Sequence, residues 1–219
     1  MKQFLTVAPG VAVQAVFLAP LQAVKQFHES GTTADVSVAP YAAMFSNGAL
    51  WMTYGWLLGV PAIALPNVSA VVLGAVWCGA FWRYRCPHAT TAPYFGAAAT
   101  SVVFAGGAAA TLPAADAASL IGSVGCAASV AMFSGPLASI RAVLRDRSAA
   151  ALPPAFTVIS VVNTTVWTSY GFLVIHDPFI YGPNALGLAS SLTQLGLIAR
   201  FGTAPPRAPR AKDSWPRTE

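Results

Sequence analysis

The chain has 219 residues, of which 56% are hydrophobic and only 9% charged, whereas a soluble domain carries about 25% charged residues. This composition excludes an ordinary water-soluble fold and indicates an integral membrane protein. The formal net charge is +5, and the membrane orientation derived below explains it without nucleic-acid binding.

The charges are clustered, so that three long apolar tracts remain: 36–82, 86–140 and 148–199. The charged residues inside these tracts are Asp116 and Asp177. A helix needs about 20 residues to cross a bilayer core about 30 Å thick, so each tract predicts two spans. A further charge-free stretch, 3–24, predicts one more span, for which the alternative is a cleavable signal peptide.

Seven spans are therefore predicted in chain order: 4–26, 37–58, 63–83, 92–112, 119–144, 153–174 and 179–200. Each long tract contains one proline-bearing break at which the chain can reverse: 59–61, 112–116 and 176–178. Asp116 and Asp177 both lie at these reversals.

The basic residues predict the orientation. Most of them follow an odd-numbered span and lie on one side: Lys25, Arg83, Arg85, Arg141, Arg145, Arg147, Arg200, Arg207, Arg210, Lys212 and Arg217. Lys2 alone lies on the other side. The positive-inside rule then places the N-terminus outside and the C-terminus in the cytosol. We expect the plasma membrane, with an organelle membrane as the alternative.

An internal repeat appears when the sequence is shifted by 116 residues. The shift matches Phe17, Pro20, Leu21, Asn47, Trp51, Tyr54 and Gly55 with Phe133, Pro136, Leu137, Asn163, Trp167, Tyr170 and Gly171. One inserted residue later, Pro66 and Asn67 match Pro183 and Asn184. Span one thereby gains a counterpart in span five, which argues against the signal-peptide alternative.

The repeat predicts the architecture. Each unit contains three spans, so two parallel units need one additional crossing between them, and the small residues of 95–112 suit a closely packed linking helix. The predicted fold class is an all-α integral membrane protein with seven transmembrane helices, two parallel three-helix bundles joined by a linker helix (3+1+3). The predicted boundaries are 1–88 for the first repeat, 89–116 for the linker, 117–201 for the second repeat and 202–219 for a disordered cytosolic tail.

The repeated amides and aromatics are candidate ligand-binding residues. Span two carries an amide, an indole and a phenol on one helical face: Asn47, Trp51 and Tyr54. As single residues these would more commonly fill a core, but the repeat puts a second set in span six. Asn67 and Asn184 add uncharged donors and acceptors, and Trp51 and Trp167 add flat aromatic faces. This set suits a neutral, polyhydroxylated ligand such as a sugar.

Four prolines lie near the cytosolic parts of spans one, two, five and six: Pro20, Pro40, Pro136 and Pro153. A proline inside a span removes a backbone hydrogen bond and can act as a hinge of a gate. Pro40 and Pro153 can equally mark the beginnings of their helices, whereas Pro20 and Pro136 lie deeper and favour the hinge.

No ionisable side chain lies centrally in any predicted span. Proton-coupled carriers normally keep such a group in the membrane, so passive alternating access is the simplest mechanism. The histidines fall in loops, with no catalytic triad order, metal-ligand spacing or phosphate-binding loop around them. An enzyme is therefore disfavoured, and we predict no cofactor and no metal.

These residues together resemble the SWEET (MtN3/saliva) family of sugar uniporters, a known example of the parallel-repeat plan. The most specific pieces are Pro40-Tyr41 followed by Asn47, Trp51, Tyr54 and Gly55, then Ser134-Gly135-Pro136-Leu137, and Asp177-Pro178-Phe179 followed by Pro183-Asn184. The paired Pro-Gln of PQ-loop carriers is absent, because Leu21 separates Pro20 from Gln22.

The resemblance implies bidirectional, facilitated transport of mono- or disaccharides without ion coupling. It implies sugar binding by Asn67, Asn184, Trp51 and Trp167, a cytosolic gate at Pro20, Pro40, Pro136 and Pro153, and an outer gate at Tyr54 and Asp177. The chain departs from the family pattern in the short loop 58–65, which has no lysine to pair with Asp177.

Two alternatives remain at this point: a seven-helix cargo receptor that captures a peptide terminus, and a PQ-loop-like carrier of another small neutral solute such as an amino acid. The expected partners are a small sugar and membrane lipid, with no nucleic acid. A homo-oligomer stays an open alternative, because one chain with both repeats can build a complete pore.

Overall fold

A computed structural model describes residues 2–132 and 134–204, with side chains described for all of these except 2–6, 134, 136 and 137. Every regular element in this part of the chain is an α-helix, as predicted. In chain order the helices are α1 (Lys2–Leu18), α2 (Leu21–Ser30), α3 (Ala39–Leu57), α4 (Pro61–Tyr84), α5 (Ala92–Thr111), α6 (Ala114–Met132), α7 (Ser134–Asp146), α8 (Pro154–Leu173) and α9 (Pro178–Phe201). Of the predicted tail, 202–219, all residues beyond Ala204 lie outside the described part.

The helices correspond to the predicted spans, and span one is divided into two helices, α1 and α2. Span five contains α6 and α7, which lie on either side of residue 133, a residue outside the described part. Within the described residues, four segments are long and apolar enough to cross a membrane by length and composition: Val7–Ser30, Pro61–Tyr84, Ala92–Thr111 and Ala114–Met132.

The division of span one lies at Pro20. Helix α1 ends at Leu18, and Pro20 occupies the N-cap position of α2. Because proline has no backbone N–H, the regular hydrogen-bond ladder cannot continue through this position. In span five Pro136 belongs to α7, and its side chain is outside the described part.

Pro40 and Pro153 lie at helix beginnings. Pro40 is in the first turn of α3, and Pro153 is the N-cap residue of α8. In these positions proline costs no intrahelical hydrogen bond. Their geometry is therefore that of helix starts, the alternative that the sequence offered for these two residues.

The loops define two faces of the bundle. The face that we call the basic face carries loops 31–38, 85–91 and 147–153, and the opposite face carries loops 58–60, 112–113 and 174–177. On the basic face each repeat ties its first loop to the end of its last helix. Thr33 N–H donates to the Tyr84 carbonyl and Ala149 N–H to the Gly202 carbonyl, both at 2.9 Å.

Within each repeat two helices pack very closely, α3 on α4 and α8 on α9. A Cβ atom at Gly55 would lie 2.6 Å from the Ala64 nitrogen, and one at Gly171 would lie 2.8 Å from the Tyr181 nitrogen. The repeat-matched glycines are thus explained by close backbone approach.

The repeats meet through α1 against α8 and through α3 against α6, while α5 packs on α3 and α6. The largest buried cluster joins helices of both repeats with the linker: Leu50, Trp51, Tyr54, Ile63, Ala105, Ala108, Ala118, Ile121, Trp167, Tyr170 and Ile180. These residues belong to the halves of α3, α4, α5, α6, α8 and α9 that lie near the opposite face. Smaller buried clusters lie toward the basic face, such as Phe27, Val38, Tyr41, Trp77 and Phe81.

Candidate functional site

A cavity of about 480 Å³ lies between the two repeats, within the range of about 300–1,000 Å³ usual for small-molecule sites. Both repeats contribute to its lining, which consists of Val13, Val16, Phe17, Ala19, Pro20, Pro40, Met44, Asn47, Trp51, Ile63, Asn67, Ser129, Met132, Phe156, Asn163, Thr164, Trp167, Ile180, Pro183 and Asn184. These described side chains carry no charge, so the cavity suits a neutral ligand.

The four side chains predicted to bind ligand come together in this cavity. Trp51 and Asn67 enter from the first repeat, and Trp167 and Asn184 from the second. Among the predicted hinge prolines, Pro20 and Pro40 also line the cavity, Pro153 lies outside its lining, and the side chain of Pro136 is outside the described part. The predicted outer-gate residues, Tyr54 and Asp177, lie outside the lining as well.

Asn67 and Asn184 have the same local geometry. The Nδ2 group of Asn67 donates to the Ile63 carbonyl at 2.8 Å, and that of Asn184 donates to the Ile180 carbonyl at 2.8 Å. Each amide is thus anchored to the preceding turn of its own helix. Neither amide oxygen accepts a hydrogen bond within the described residues, which leaves two acceptors of equivalent placement for a ligand hydroxyl.

The two indoles lie at the end of the cavity nearest the opposite face. Trp51 is 8% exposed and Trp167 7% exposed. Each packs edge-on against the tyrosine of its own triplet, with ring centroids 5.4 Å apart for Trp51 and Tyr54 and 6.0 Å apart for Trp167 and Tyr170. This packing holds the indoles in fixed orientations beside the amides.

Asn47 and Asn163 also line the cavity. They belong to the repeated triplets but not to the four residues to which the family resemblance assigns sugar binding. The Asn47 Oδ1 atom accepts from Trp51 Nε1 at 3.1 Å and from Ser129 Oγ at 3.2 Å. The Asn163 Oδ1 atom is buried and has no hydrogen-bond partner within the described residues. A buried acceptor without a partner costs about 1–3 kcal/mol, so a hydroxyl group in the cavity would relieve this cost.

The cavity is closed toward the opposite face by a hydrogen bond between the repeats. Tyr54, on α3, donates its hydroxyl to Asp177 Oδ2 at 2.7 Å. Asp177 is also the N-cap of α9, where its Oδ1 atom accepts from the Phe179 N–H at 2.9 Å. The two residues predicted as an outer gate are therefore in direct contact.

Toward the basic face the cavity lining becomes exposed. Met132 is 46% exposed and Phe156 42% exposed. Among the described residues, the repeats are therefore in contact on the face that carries Asp177, and side chains that line the cavity near the basic face are exposed.

A second cavity, of about 570 Å³, lies at the surface of the basic face between loops 31–38 and 85–91. It involves the first repeat and the beginning of α5, and it contains none of the predicted site residues. Although it is the larger of the two, we assign the functional site to the central cavity, because amides and indoles of both repeats meet there.

Comparison with known proteins identifies relatives across almost the whole chain. Residues 3–89 and 119–204 match the MtN3_slv family, described as "Sugar efflux transporter for intercellular exchange". The chain is 26% identical over 196 residues to "Sugar transporter SWEET1" of Caenorhabditis elegans, covering 90% of this chain and 64% of that relative. It is 29% identical over 211 residues to "Bidirectional sugar transporter SWEET16" of Oryza sativa subsp. japonica, covering 90% and 62%.

A Mus musculus relative, "Sugar transporter SWEET1", is 24% identical over 201 residues, with 90% of each chain covered. The chain thus spans less than two thirds of the worm and rice relatives and nine tenths of the mouse relative. Among solved structures, "The 3.7 A resolution structure of a eukaryotic SWEET transporter" matches with a TM-score of 0.82 at 24% identity, covering 91% of this chain and 96% of that chain.

An all-α membrane fold with a neutral cavity between two parallel three-helix repeats defines the class of parallel-repeat membrane carriers. Within that class, the chain belongs to the SWEET (MtN3/saliva) family. This membership confirms the predicted 3+1+3 fold class, the integral membrane location and the prediction that the protein is not an enzyme.

Proposed function

We propose that the protein is a bidirectional, facilitative sugar uniporter that moves a mono- or disaccharide by alternating access without ion coupling. The observation that carries this proposal is the uncharged cavity between the repeats, lined by paired amides and paired indoles. Amide groups can exchange hydrogen bonds with hydroxyls, and indole faces can pack on the C–H faces of a sugar ring.

In this proposal the basic face is cytosolic and the opposite face is extracellular, as the positive-inside rule favours. The described arrangement is then an inward-open state. Its outer gate is formed by Tyr54 and Asp177, and its cytosolic gate by the segments around Pro20, Pro40, Pro136 and Pro153. Sugar binds at Asn67, Asn184, Trp51 and Trp167, with Asn163 as an additional acceptor.

The absence of an ionisable side chain from the described cavity lining supports uniport. A proton-coupled carrier normally keeps an ionisable side chain in the membrane that binds the proton. Sugar then moves down its own gradient in either direction. We place the protein in the plasma membrane, in contact with membrane lipid.

The assignment of the site is tested by substituting one of the paired amides. Asn184→Ala removes the side chain that provides an acceptor in the cavity, so we expect saturable sugar flux to fall to background in cells that lack native sugar carriers. Thr193→Ala is the matched control, because Thr193 is on the same helix but its side chain is exposed and bonded only to the Ala189 carbonyl. The amounts of both variants at the cell surface are measured alongside flux.

If Asn184→Ala transports sugar as well as Thr193→Ala does, the amide pair is not the binding site. If the unmodified protein transports no sugar but does transport a neutral amino acid, the substrate assignment is wrong while the cavity assignment stands.

A further inference from the structure

Helix α6 carries two glycines against which aromatic rings pack. A Cβ atom at Gly122 would lie 2.8 Å from Tyr54 Cε2 and 3.0 Å from Phe179 Cγ. A Cβ atom at Gly125 would lie 3.1 Å from Trp51 Cζ2. Both glycines are buried, so these rings occupy the space that side chains on α6 would otherwise fill.

These contacts lie at the closed end of the cavity and join the two repeats. Tyr54 and Trp51 belong to the first repeat, whereas α6 and Phe179 belong to the second. One turn after Gly122, the Cys126 thiol donates to the Phe179 carbonyl at 3.2 Å. Pro183 cannot donate to that carbonyl, four residues before it, so the thiol supplies a partner that the α9 ladder lacks.

The contacts of Gly122 and Gly125 differ in kind from those of Gly55 and Gly171. The latter two hold neighbouring helices of one repeat together, and these helices can move as a unit. Contacts between repeats must instead separate when the cavity opens on that side and form again when it closes. In the first repeat the 116-residue shift places Thr6 and Pro9 at the positions of Gly122 and Gly125, so the sequence provides this glycine pair only once.

We propose that Gly122 and Gly125 are positioning residues of the transport cycle: together with Phe179 they form a docking surface on the second repeat, into which Tyr54 and Trp51 of the first repeat seat when the face that carries Asp177 closes. A side chain at Gly122 would hold the rings away from α6 and prevent the Tyr54–Asp177 contact from closing. The protein would then favour the arrangement open on that face. This inference rests on the proposed alternating-access function.

The test measures access to the cavity from one side and does not depend on sugar. Thr164, which lines the cavity, is changed to Cys as a reporter in a chain that also carries Cys78→Ala and Cys86→Ala. A membrane-impermeant maleimide is added from the face that carries Asp177, and the same chain without Thr164→Cys gives the background from Cys126. We expect Gly122→Ala to increase the labelling rate at least threefold and Gly125→Ala to increase it less, because its contact is longer and meets the ring edge.

Gly106→Ala is the matched control, since Gly106 also lies inside a helix but a Cβ atom there would meet no neighbouring group within 4 Å. Gly106→Ala gains the same helix propensity as Gly122→Ala and Gly125→Ala, and we expect its labelling rate to equal that of the unmodified chain. Equal labelling rates for Gly122→Ala and Gly106→Ala would overturn the inference. If Gly122→Ala fails to reach the membrane, the labelling rate of Gly125→Ala is the test. An unchanged labelling rate in that variant overturns the inference as well. Labelling that responds as expected in a protein that carries no sugar would refute the proposed substrate and leave the docking surface intact.

Discussion

Tyr54 and Tyr170 occupy equivalent positions in the two repeats but have different partners. Tyr54 donates to the Asp177 carboxylate at 2.7 Å. Once the single inserted residue is counted, the position equivalent to Asp177 in the first repeat is Val60. The Tyr170 hydroxyl accordingly makes no hydrogen bond within the described residues. The hydrogen bond between Tyr54 and Asp177 on this face therefore has no counterpart at Tyr170 among the described residues.

The substitution Tyr54→Phe tests this contact because it removes only the hydroxyl group. The ring and its packing against Trp51 and Phe179 remain, but the hydrogen bond to a charged acceptor is lost, which typically costs about 1.5–3 kcal/mol. We expect a roughly tenfold rise in access to the Thr164→Cys reporter from the face that carries Asp177. Tyr170→Phe is the control, because it removes a hydroxyl without such a partner, and a similar rise in both variants would contradict the assignment of this gate.

At the residue scale, the sequence could predict which side chains meet, because the repeat identifies them independently of their contacts. Trp51, Trp167, Asn67 and Asn184 line one cavity, as expected, and their role in binding stays a prediction. The sequence could not predict the difference between Asn47 and Asn163. That difference depends on side-chain orientation, namely on whether Ser129 and an indole N–H reach the amide oxygen.

At the scale of the helix, Pro20 and Pro40 both line the cavity but lie at different positions relative to their helices. Pro20 separates α1 from α2 within one membrane span, whereas Pro40 lies in the first turn of α3. Only in the first case does the missing N–H fall inside a continuous crossing.

The substitution Pro20→Ala restores a backbone donor and allows α1 and α2 to join into a straighter helix. We expect the maximal rate of sugar flux to fall several-fold with little change in KM, because the substitution affects the movement of the helix and leaves the four proposed sugar-binding side chains unchanged. Pro40→Ala should retain most of the flux, since a proline in a first turn replaces no hydrogen bond. Concentration dependence of initial flux measures both quantities, and an equal loss in the two variants would count against Pro20 as the hinge.

The sequence predicted the number and order of the spans, but its hydrophobic pattern did not show the division of span one. Hydrophobicity marks 4–26 as continuous, because a break inside the membrane changes backbone geometry without adding polar residues. The proline at position 20 is the signal of this break, because it lacks a backbone N–H.

At the scale of the whole molecule, the two parallel repeats predict a cavity between them, and the structure has such a cavity. The sequence also indicates where equivalence ends, since Asp177, Gly122 and Gly125 have no matching residue in the first repeat. The half of the molecule near the opposite face carries the largest buried cluster, whereas the basic-face end of the cavity has exposed lining. Which of these ends is closed could not be read from the sequence, because both arrangements use the same residues in different packing.

The central claim is that a sugar moves through this cavity without an ion gradient. The most direct test is the uptake and the efflux of labelled glucose and sucrose in cells without native sugar carriers, each measured with and without a proton uncoupler. We predict saturable flux of at least one of these sugars in both directions, unchanged by the uncoupler. Flux that collapses with the uncoupler, or no flux of either sugar with the protein verified at the cell surface, would contradict the account.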